Sequence, residues 1–249
     1  MSNIEIKNLN KIYPTTPPVI ALEGVELQVK SGEFVALLGP SGCGKSTLLN
    51  IIAGFEQSST GVLSVDQSPV LRPGPERGVV FQEAALFPWL SVWDNVIFGP
   101  KVQGVARSIY EPRAKEMLKL MGLSAFEASL PVQLSGGMRQ RVGIARVLTM
   151  GSQILLMDEP FGALDAQTRL SMQELLLSVW QQLKPTVVFV THDIDEALFL
   201  ADTVYVMSSR PGRIQAKLEV PFDRPRSLEL TAGGDFNRMK LEILKQMRH

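Results

Sequence analysis

Apolar positions in the first fifty residues follow three patterns. Residues 4–7 and 25–30 alternate between apolar and polar side chains, which is typical of strands with one buried face. Residues 34–38, Phe-Val-Ala-Leu-Leu, are apolar throughout, as expected for a strand that is covered on both faces. Residues 48–52 then predict a buried helix that ends at Gly54. The chain therefore opens with strands that lead into a helix.

Strand patterns stop near residue 91 and return after residue 150. The segment between them carries helical patterns, most clearly at 108–120 and 137–148. Apolar strands then alternate with helices, at 154–157, 166–183, 186–190, 194–200 and 203–207. Because such alternation indicates a parallel α/β sheet, we predict that the helical block is an insertion into that sheet.

The same patterns suggest a division into domains. We predict a discontinuous α/β core at residues 1–90 and 151–215, with a helical subdomain at 91–150. A short C-terminal tail at 216–249 completes the chain. A further strand is expected at 213–220 and a terminal helix at 238–247.

Composition narrows the function classes. Lys plus Arg and Asp plus Glu each number 25, and the resulting net charge of zero argues against a nucleic-acid binder. With 45% hydrophobic and 20% charged residues, the 249-residue chain can bury a core, which excludes disorder as its main state. One cysteine excludes an intrachain disulfide framework. The start does not resemble a signal peptide and no apolar run is long enough to span a bilayer, so we expect a cytoplasmic protein.

A glycine-rich loop follows the strand at 34–38. Gly39, Gly44, Lys45 and Ser46 satisfy the pattern G-x-x-x-x-G-K-[ST]. Glycine lets the backbone wrap closely around phosphates, and the helix that follows adds its N-terminal amides and dipole. An ordinary glycine-rich turn is the alternative, but the flanking strand and helix favour nucleotide binding. The predicted nucleotide-binding loop consists of Gly39, Pro40, Ser41, Gly42, Cys43, Gly44, Lys45, Ser46 and Thr47.

Within this loop, two side chains have predicted roles. The Lys45 ammonium is expected to contact the β- and γ-phosphates of the nucleotide and to stabilise charge when the γ-phosphate is transferred, and the Ser46 hydroxyl is expected to ligate Mg²⁺. Asp158 and Glu159 follow the apolar strand at 154–157, so they emerge at the edge of the sheet where such folds bind ligands. Asp158 is expected to hold Mg²⁺ through water, and Glu159 to polarise the attacking water. Alone, these acids would fit a solvated turn.

One further motif links the chain to a known family. Residues 134–141 are Leu-Ser-Gly-Gly-Met-Arg-Gln-Arg, and the chain resembles the ATP-binding subunit of an ABC transporter over nearly its whole length. The resemblance implies a P-loop NTPase core of the ABC ATPase type, with a parallel sheet, antiparallel strands and an inserted helical subdomain. Its elements, in the family's order, are Tyr13, the loop at 39–47, Gln82, Ser135-Gly136-Gly137, Asp158-Glu159, Ala163 to Asp165, and His192.

The resemblance implies three more roles within one protomer. Tyr13 is similar to the aromatic residue on which adenine stacks. Gln82, at the end of the strand predicted at 79–81, is similar to a catalytic residue that contacts Mg²⁺ or water. His192 matches the residue that senses the γ-phosphate and takes part in catalysis. Without the other motifs, these would be interpreted as an ordinary tyrosine, an exposed strand-end glutamine and a structural histidine.

Other implied roles require a second copy of the chain. By resemblance, Ser135, Gly136 and Gly137 bind the γ-phosphate of the ATP that is held by the partner, and Asp165 crosses the dimer interface. Two ATP molecules would then lie between head-to-tail protomers. The alternative is that Ser135 and Asp165 are simply N-caps of helices.

A membrane partner is implied by the resemblance as well. One nucleotide-binding domain without a membrane span is typical of bacterial importers. Leu86, Phe87, Trp89 and Trp93 form an apolar set that, in the family, borders the groove for a cytoplasmic helix of the membrane subunit; packing of the helical subdomain is the alternative. The implied partners are a second copy, two permease subunits contacted between Gln82 and Trp93, and indirectly a substrate-binding protein. We expect a peripheral location on the cytoplasmic face of the inner membrane.

Three segments point to one branch of the family. Residues 73–82, 86–89 and 208–213 resemble the nitrate/sulfonate/taurine importer group, although no mechanistic reason for this is evident from the sequence. An aliphatic sulfonate or taurine is the expected cargo; nitrate, bicarbonate, cyanate and pyrimidine precursors are alternatives. A non-transport ABC ATPase and a P-loop kinase are the rival classes.

The single thiol lies inside the nucleotide-binding loop. Cys43 is followed within two residues by Lys45, at the start of a helix. A nearby ammonium and a helix N-terminus both favour a thiolate, so Cys43 is expected to be more reactive than an average cysteine if it is accessible. A small, buried and inert thiol is the alternative.

Overall fold

The structure is a computed structural model that describes residues 2–247. Its strands, in chain order, are β1 (Ile4–Tyr13), β2 (Val19–Val29), β3 (Phe34–Leu38), β4 (Thr60–Val65), β5 (Ser68–Pro69), β6 (Arg77–Val80), β7 (Ile154–Asp158), β8 (Thr186–Thr191), β9 (Thr203–Met207) and β10 (Ile214–Glu219). Its α-helices are α1 (Lys45–Ala53), α2 (Val92–Val102), α3 (Arg107–Leu120), α4 (Gly136–Met150), α5 (Ala166–Leu183), α6 (Ile194–Leu200) and α7 (Gly234–Gln246). Short 3-10 helices lie at Ser124–Phe126, Pro131–Gln133 and Leu228–Ala232.

The chain forms two compact units. The first comprises Met1–Gly74 and Lys184–His249, and the second comprises Pro75–Leu183. The division predicted from the sequence patterns, with a core at 1–90 and 151–215, a helical subdomain at 91–150 and a tail at 216–249, stays a prediction. Residues 248 and 249 of that tail lie outside the described residues.

The first unit contains two sheets. Strands β2, β1, β4 and β5 form an antiparallel sheet in that order. In the second sheet, β3 lies between β8 and β9 and is parallel to both, while β10 is antiparallel to β9. Every residue of β3, β8 and β9 is buried, as expected for parallel strands that are covered on both faces. The carboxyl ends of β3 and β8 meet because Leu38 is paired with Thr191.

The second unit combines a short parallel pair of strands with helices. Strands β6 and β7 pair from Arg77 with Ile154 to Val80 with Met157. Residues 91–150 are helical or irregular, without a strand, and α2, α3 and α4 pack against one another. No helix in the described part of the chain is both long and apolar enough to cross a membrane.

The predicted α/β class with parallel and antiparallel strands is confirmed, but several boundaries differ. The last helix begins at Gly234 rather than at 238, and β4 was not predicted. Strand β6 ends at Val80, so the prediction that Gln82 ends a strand is wrong. The reason is a contact with a distant segment: Phe81 is 40% exposed, and its carbonyl oxygen accepts a hydrogen bond from the Gln140 side chain instead of continuing the strand. Gln82 therefore belongs to a loop.

Candidate functional site

The nucleotide-binding loop is anchored by a buried strand and by close backbone packing. It leaves β3 at Gly39 and enters α1 at Lys45. Gly44 caps α1 with a φ of 103°, which side chains of L-residues rarely adopt. A Cβ on Gly44 would also lie 3.0 Å from the Ala21 carbonyl oxygen and 2.8 Å from a Leu22 methyl carbon. Both the backbone conformation and the space therefore require glycine here.

Lys45 places its charge inside this loop. The side chain is buried, and Nζ donates hydrogen bonds to the carbonyl oxygens of Gly39, at 2.8 Å, and Pro40, at 2.9 Å. Ser41 and Gly42 at the tip of the loop are exposed. The ammonium, the loop backbone and the N-terminus of α1 together concentrate positive potential at one place. This arrangement suits the phosphate chain of a nucleotide.

Tyr13, the last residue of β1, lies beside Thr47 at the end of the same loop. Its hydroxyl oxygen is 3.5 Å from Oγ1 of Thr47, and the Lys11 ammonium lies 4.9 Å from the centre of its ring. Lys11 is held in turn by an ion pair of 2.6 Å with Glu56. The structure therefore brings Tyr13 to the nucleotide-binding loop, and its stacking on adenine remains a prediction.

His192 is brought to the same edge of the sheet as the loop. Leu38 and Thr191 are paired in register as the last residues of adjacent parallel strands, so Gly39 and His192 directly follow the two strand ends. The His192 side chain is exposed. Directly before it, the buried Thr191 hydroxyl donates a hydrogen bond of 2.6 Å to the buried Glu196 carboxylate. The sequence analysis did not predict this pair, although its signal is visible in the sequence: a threonine ends the strand, and an acidic residue lies in the first turn of the next helix.

The acidic pair of the second unit lies where β7 ends. Asp158 is the last residue of β7, and Glu159 follows it; both are half-buried. Glu159 has a φ of 44°, which is uncommon for a residue other than glycine. Its carbonyl oxygen accepts a hydrogen bond of 3.0 Å from the Gly162 amide. Strain of this kind is often concentrated at functional sites, where the surrounding structure holds it in place.

Gln82 lies close to Glu159. A Cβ on Gly162 would be 3.3 Å from Nε2 of Gln82 and 3.8 Å from Oε2 of Glu159. The two side chains thus border the same small space in the second unit. The Gln82 loop is tied to α4, because Nε2 of Gln140 donates a hydrogen bond of 3.0 Å to the Phe81 carbonyl oxygen. Gln140 is a positioning residue that the sequence analysis did not identify.

The predicted trans-acting residues lie at two helix N-termini. Ser135 caps α4, and its Oγ accepts a hydrogen bond of 3.3 Å from the Met138 amide. Gly136 is exposed at the helix start, and Gly137 is buried, with no room for a Cβ beside Thr168. The exposed start of α4 retains amides that its own turn cannot satisfy, which suits an anion.

Asp165 is likewise an N-cap in this protomer. Its carboxylate accepts hydrogen bonds from the amide of Thr168, at 3.0 Å, and from the Thr168 hydroxyl, at 2.7 Å. These hydrogen bonds lower the pKa of Asp165. The capping interpretation is therefore realised for both Ser135 and Asp165, and their roles toward a partner remain predictions.

Cys43 does not meet the condition for the predicted reactivity. The residue is only 1% exposed, and burial raises the pKa of its thiol. The Lys45 ammonium, 3.9 Å from Sγ, lowers the pKa but has the smaller effect. The expected thiolate is thus corrected to a buried neutral thiol, because desolvation outweighs the nearby charge.

We predict that the folded protein reacts slowly with thiol reagents. At pH 7, Cys43 should be labelled by a maleimide at least about tenfold more slowly than glutathione, since the reagent needs an accessible thiolate. Because the folded-state pKa is raised, labelling should accelerate only at pH values above the normal thiol range. Mass spectrometry of timed samples measures the rate, with urea-unfolded protein as the control. Labelling as fast as that of glutathione would contradict this assignment.

The donor chemistry of the residues predicted to hold magnesium fits Mg²⁺. Within residues 2–247 there is no group of three or more His, Cys, Asp or Glu residues that could hold a metal. Mg²⁺ does not need one, because at nucleotide sites it keeps several waters and takes the rest of its ligands from phosphates and one or two protein oxygens. The Ser46 hydroxyl, the Gln82 amide oxygen and the Asp158 carboxylate are oxygen donors of this kind.

Comparison with known proteins agrees with these observations. The family model for "ABC transporter" matches residues 22–162. A taurine import ATP-binding protein of Rhizobium johnstonii is 54% identical over 206 residues, which cover 83% of this chain and 79% of that protein. A nitrate import ATP-binding protein of Synechococcus elongatus is 48% identical over 225 residues, covering 89% and 82%. An uncharacterized ABC transporter ATP-binding protein of Methanocaldococcus jannaschii is 46% identical, covering 97% and 91%.

Solved structures show the same fold. A protein of Clostridium perfringens that is part of the ABC transporter complex CbiONQ superposes with a TM-score of 0.80 at 29% identity, covering 95% of this chain and 93% of that chain. A dimeric ATP-binding cassette in a post-hydrolysis state, bound to ADP and Pi, superposes with a TM-score of 0.74 at 32% identity, covering 88% and 100%. The family model spans more than half of the chain, and the matched residues include the nucleotide-binding loop, Gln82, Ser135 to Gly137 and the pair Asp158-Glu159. The chain therefore belongs to the ABC transporter family, in which it is an ATP-binding and ATP-hydrolysing subunit.

Proposed function

We propose that the chain is the ATPase of a bacterial importer in the nitrate/sulfonate/taurine group. In this proposal, ATP binding and hydrolysis in a head-to-tail dimer are coupled to the uptake of a small anion or zwitterion. The observation that carries the ATPase part of the proposal is the Lys45 ammonium, which is held within a glycine loop beside the strand that leads to His192. The names of the import relatives support the direction of transport.

The proposed cargo is a small anion or zwitterion. An aliphatic sulfonate or taurine is the first choice, in keeping with the name of the relative that is 54% identical. Nitrate is supported equally well by the relative that is 48% identical. Bicarbonate, cyanate and pyrimidine precursors are further alternatives within the group.

Hydrolysis is assigned to a small set of this chain's side chains. Bound Mg²⁺ supplies positive charge that offsets the charge on the β- and γ-phosphates. Glu159 accepts a proton from the attacking water, whose oxygen forms a bond to the γ-phosphorus as the bond to the ADP oxygen breaks. Lys45 stabilises the charge on the transferred group, and His192 donates a hydrogen bond to it. Gln82 orients the water beside Glu159.

The second half of each site is proposed to come from a partner copy. The exposed start of α4, at Ser135 and Gly136, would bind the γ-phosphate held by the other protomer, and Asp165 would cross the interface. The dimeric cassette of similar fold supports this arrangement. The helical subdomain at 91–150 would move with the membrane subunits, while the core at 1–90 and 151–215 holds the nucleotide.

An apolar groove in the second unit is the proposed site for the permease. Phe87 packs against Phe98, with 4.5 Å between ring centres, and against Trp89, at 5.8 Å. Trp89 is 73% exposed. A cavity of about 450 Å³ opens beside these rings, and its lining includes Phe81, Phe87, Phe98, Val102, Arg146 and Met150. A short amphipathic helix of a membrane subunit suits an apolar groove of this kind.

Arg146 connects this groove to the Gln82 loop. Its guanidinium donates hydrogen bonds to the carbonyl oxygens of Ala84, at 3.1 Å, and Ala85, at 3.0 Å, and lies 5.8 Å from the centre of the Phe87 ring. Burial lowers the pKa of Arg146. A helix seated in the groove would thus press on the segment that carries Gln82. These contacts of Arg146 therefore provide a physical connection between permease binding in the groove and the position of Gln82.

We predict that Trp89→Asp abolishes association with the permease and leaves the isolated subunit's ATPase activity near that of the wild type. A charge on the rim of the groove opposes burial of an apolar helix. Leu71→Asp is the matched control, because Leu71 is 71% exposed and lies in the first unit. Co-purification of tagged variants from detergent-solubilised membranes measures the effect. Equal recovery of permease with both variants would contradict the assignment of the groove.

The same co-purification tests the proposed function as a whole. Wild-type protein should bring down a membrane permease, and the binding protein that works with that permease would identify the cargo. Recovery of ribosomes or DNA instead would favour a non-transport ABC ATPase.

A further inference from the structure

The segment at 208–213, which joins β9 and β10, resembles a branch of the family without an evident mechanistic reason. We call it the 208–213 turn. The Ser208 hydroxyl donates a hydrogen bond of 2.8 Å to the Pro211 carbonyl oxygen and accepts one of 2.9 Å from the Arg213 amide. The Ser208 amide also donates to the Arg213 carbonyl oxygen, at 2.9 Å. The turn is therefore closed by its own hydrogen bonds.

The turn is tied to strand β2 through Gly212. The Gly212 amide donates a hydrogen bond of 2.9 Å to the Ala21 carbonyl oxygen, and the Glu23 amide donates one of 3.0 Å to the Gly212 carbonyl oxygen. An ion pair of 2.7 Å between Arg213 and Glu23 lies beside them. Gly212 thus has a position set from both sides by backbone hydrogen bonds.

From this position the turn contacts the nucleotide-binding loop. The Gly212 backbone packs so closely on the Cys43 carbonyl oxygen that a Cβ there would overlap it. The Arg210 guanidinium donates a hydrogen bond of 3.3 Å to the Gly42 carbonyl oxygen. Two successive carbonyl groups of the loop therefore face the 208–213 turn.

These contacts also fix the direction of the Gly44 amide, because the amide belongs to the same peptide as the Cys43 carbonyl. In a planar trans peptide the C=O and N–H bonds point in opposite directions. Because the Cys43 carbonyl faces Gly212, the Gly44 amide points away from the turn. The φ of 103° at Gly44 then leads directly into α1 and Lys45. The amide that begins the anion-binding helix is oriented by a contact on the opposite side of its peptide.

We propose that the 208–213 turn is a positioning element for nucleotide binding, in which Gly212 and Arg210 hold the Cys43 and Gly42 peptides so that the Gly44 amide faces the phosphates. The proposal rests on the proposed function, in that it takes this loop as the site of ATP. Gly212 and Arg210 contact the carbonyl groups of the loop, so in this proposal they act through the loop backbone. Their loss should weaken ATP binding while leaving the hydrolysis step intact.

The test compares two variants with two matched controls in the full chain. Gly212→Ala is paired with Gly234→Ala, because a Cβ on Gly234 meets no atom within 4 Å. Arg210→Ala is paired with Arg213→Ala, which removes the same charge from the same turn but leaves the loop untouched. For each variant, the Kd for ATP is measured by competition with a fluorescent ATP analogue. The ATPase rate at saturating ATP and the Tm without nucleotide are measured alongside.

We expect Gly212→Ala to raise the Kd for ATP about tenfold or more, and Arg210→Ala to raise it about fivefold, which corresponds to the net loss of roughly one hydrogen bond. Both controls should stay within about twofold, and all four variants should keep a near wild-type rate at saturating ATP. A wild-type Kd in either folded variant, or equal effects of Arg210→Ala and Arg213→Ala, would overturn the proposal.

Two further comparisons separate failure of the positioning role from misfolding and from failure of the proposed function. If Gly212→Ala does not fold, the comparison of Arg210→Ala with Arg213→Ala decides, because Arg210 is exposed and its loss leaves the core intact. Lys45→Ala tests the proposed function itself. If Lys45→Ala binds ATP normally, the assignment of the loop fails; if it loses binding while the turn variants do not, only the positioning role fails.

Discussion

A Glu159→Gln variant will bind ATP with near wild-type affinity and hydrolyse it at least about 100-fold more slowly, which is the loss expected when a general base is removed. The amide fills the same space but cannot accept a proton. Glu159 directly follows β7 and has a φ of 44°. Because the backbone conformation sets the direction of the side chain, glutamine should point the same way after the substitution. Phosphate release measures turnover, and competition with a fluorescent ATP analogue measures binding.

The control for this variant is Glu174→Gln, which makes the same chemical change at an exposed position of α5. Its turnover should equal that of the wild type. Because dimer opening is expected to need hydrolysis, the Glu159→Gln variant should elute as a stable dimer in size-exclusion chromatography with Mg-ATP. Wild-type turnover in Glu159→Gln would remove this residue from its assigned role.

Ser135→Arg is predicted to abolish both ATP-induced dimerisation and hydrolysis while leaving the ATP affinity of the monomer unchanged. A bulky cation at the start of α4 would block the surface that receives the partner's γ-phosphate. The lost N-cap costs about 1 kcal/mol of stability, which a folded domain tolerates. Ser178→Arg, at an exposed position of α5, is the matched control. Dimerisation of Ser135→Arg with ATP would indicate that each protomer completes its own site.

Much of the fold could be predicted because its signals are local. The five apolar residues of β3, and the four apolar residues between two threonines in β8, form the pattern of strands that are covered on both faces. Helices α5 and α6 begin and end where the sequence predicts, since α6 is preceded by Asp193, a strong N-cap. The helical character of residues 91–150 was equally evident from its periodicity. Periodicity and capping residues reflect interactions between residues that are near one another in the sequence. The strands and helices named above depend mainly on such interactions, so their positions could be predicted.

What could not be predicted depends on contacts between distant segments. Gln82 lies in a loop because Gln140, 59 residues from Phe81, captures the Phe81 carbonyl oxygen. Cys43 is an inert thiol because the fold buries it, although its sequence neighbours favour a thiolate. Gly212 contacts Cys43 of the nucleotide-binding loop although nearly 170 residues separate the two in the sequence. Arg210 and Gly42 have a similar sequence separation. No local pattern marks such contacts.

The central claim, that two copies share each ATP site, is tested most directly by mixing two inactive variants. Lys45→Ala lacks the ammonium of its own site, and Ser135→Arg blocks the site of its partner. In a head-to-tail heterodimer, one of the two sites combines an intact Lys45 with an intact Ser135. We predict that each variant alone is inactive and that the mixture regains ATP hydrolysis, measured as phosphate release. A mixture as inactive as its two components would contradict the account.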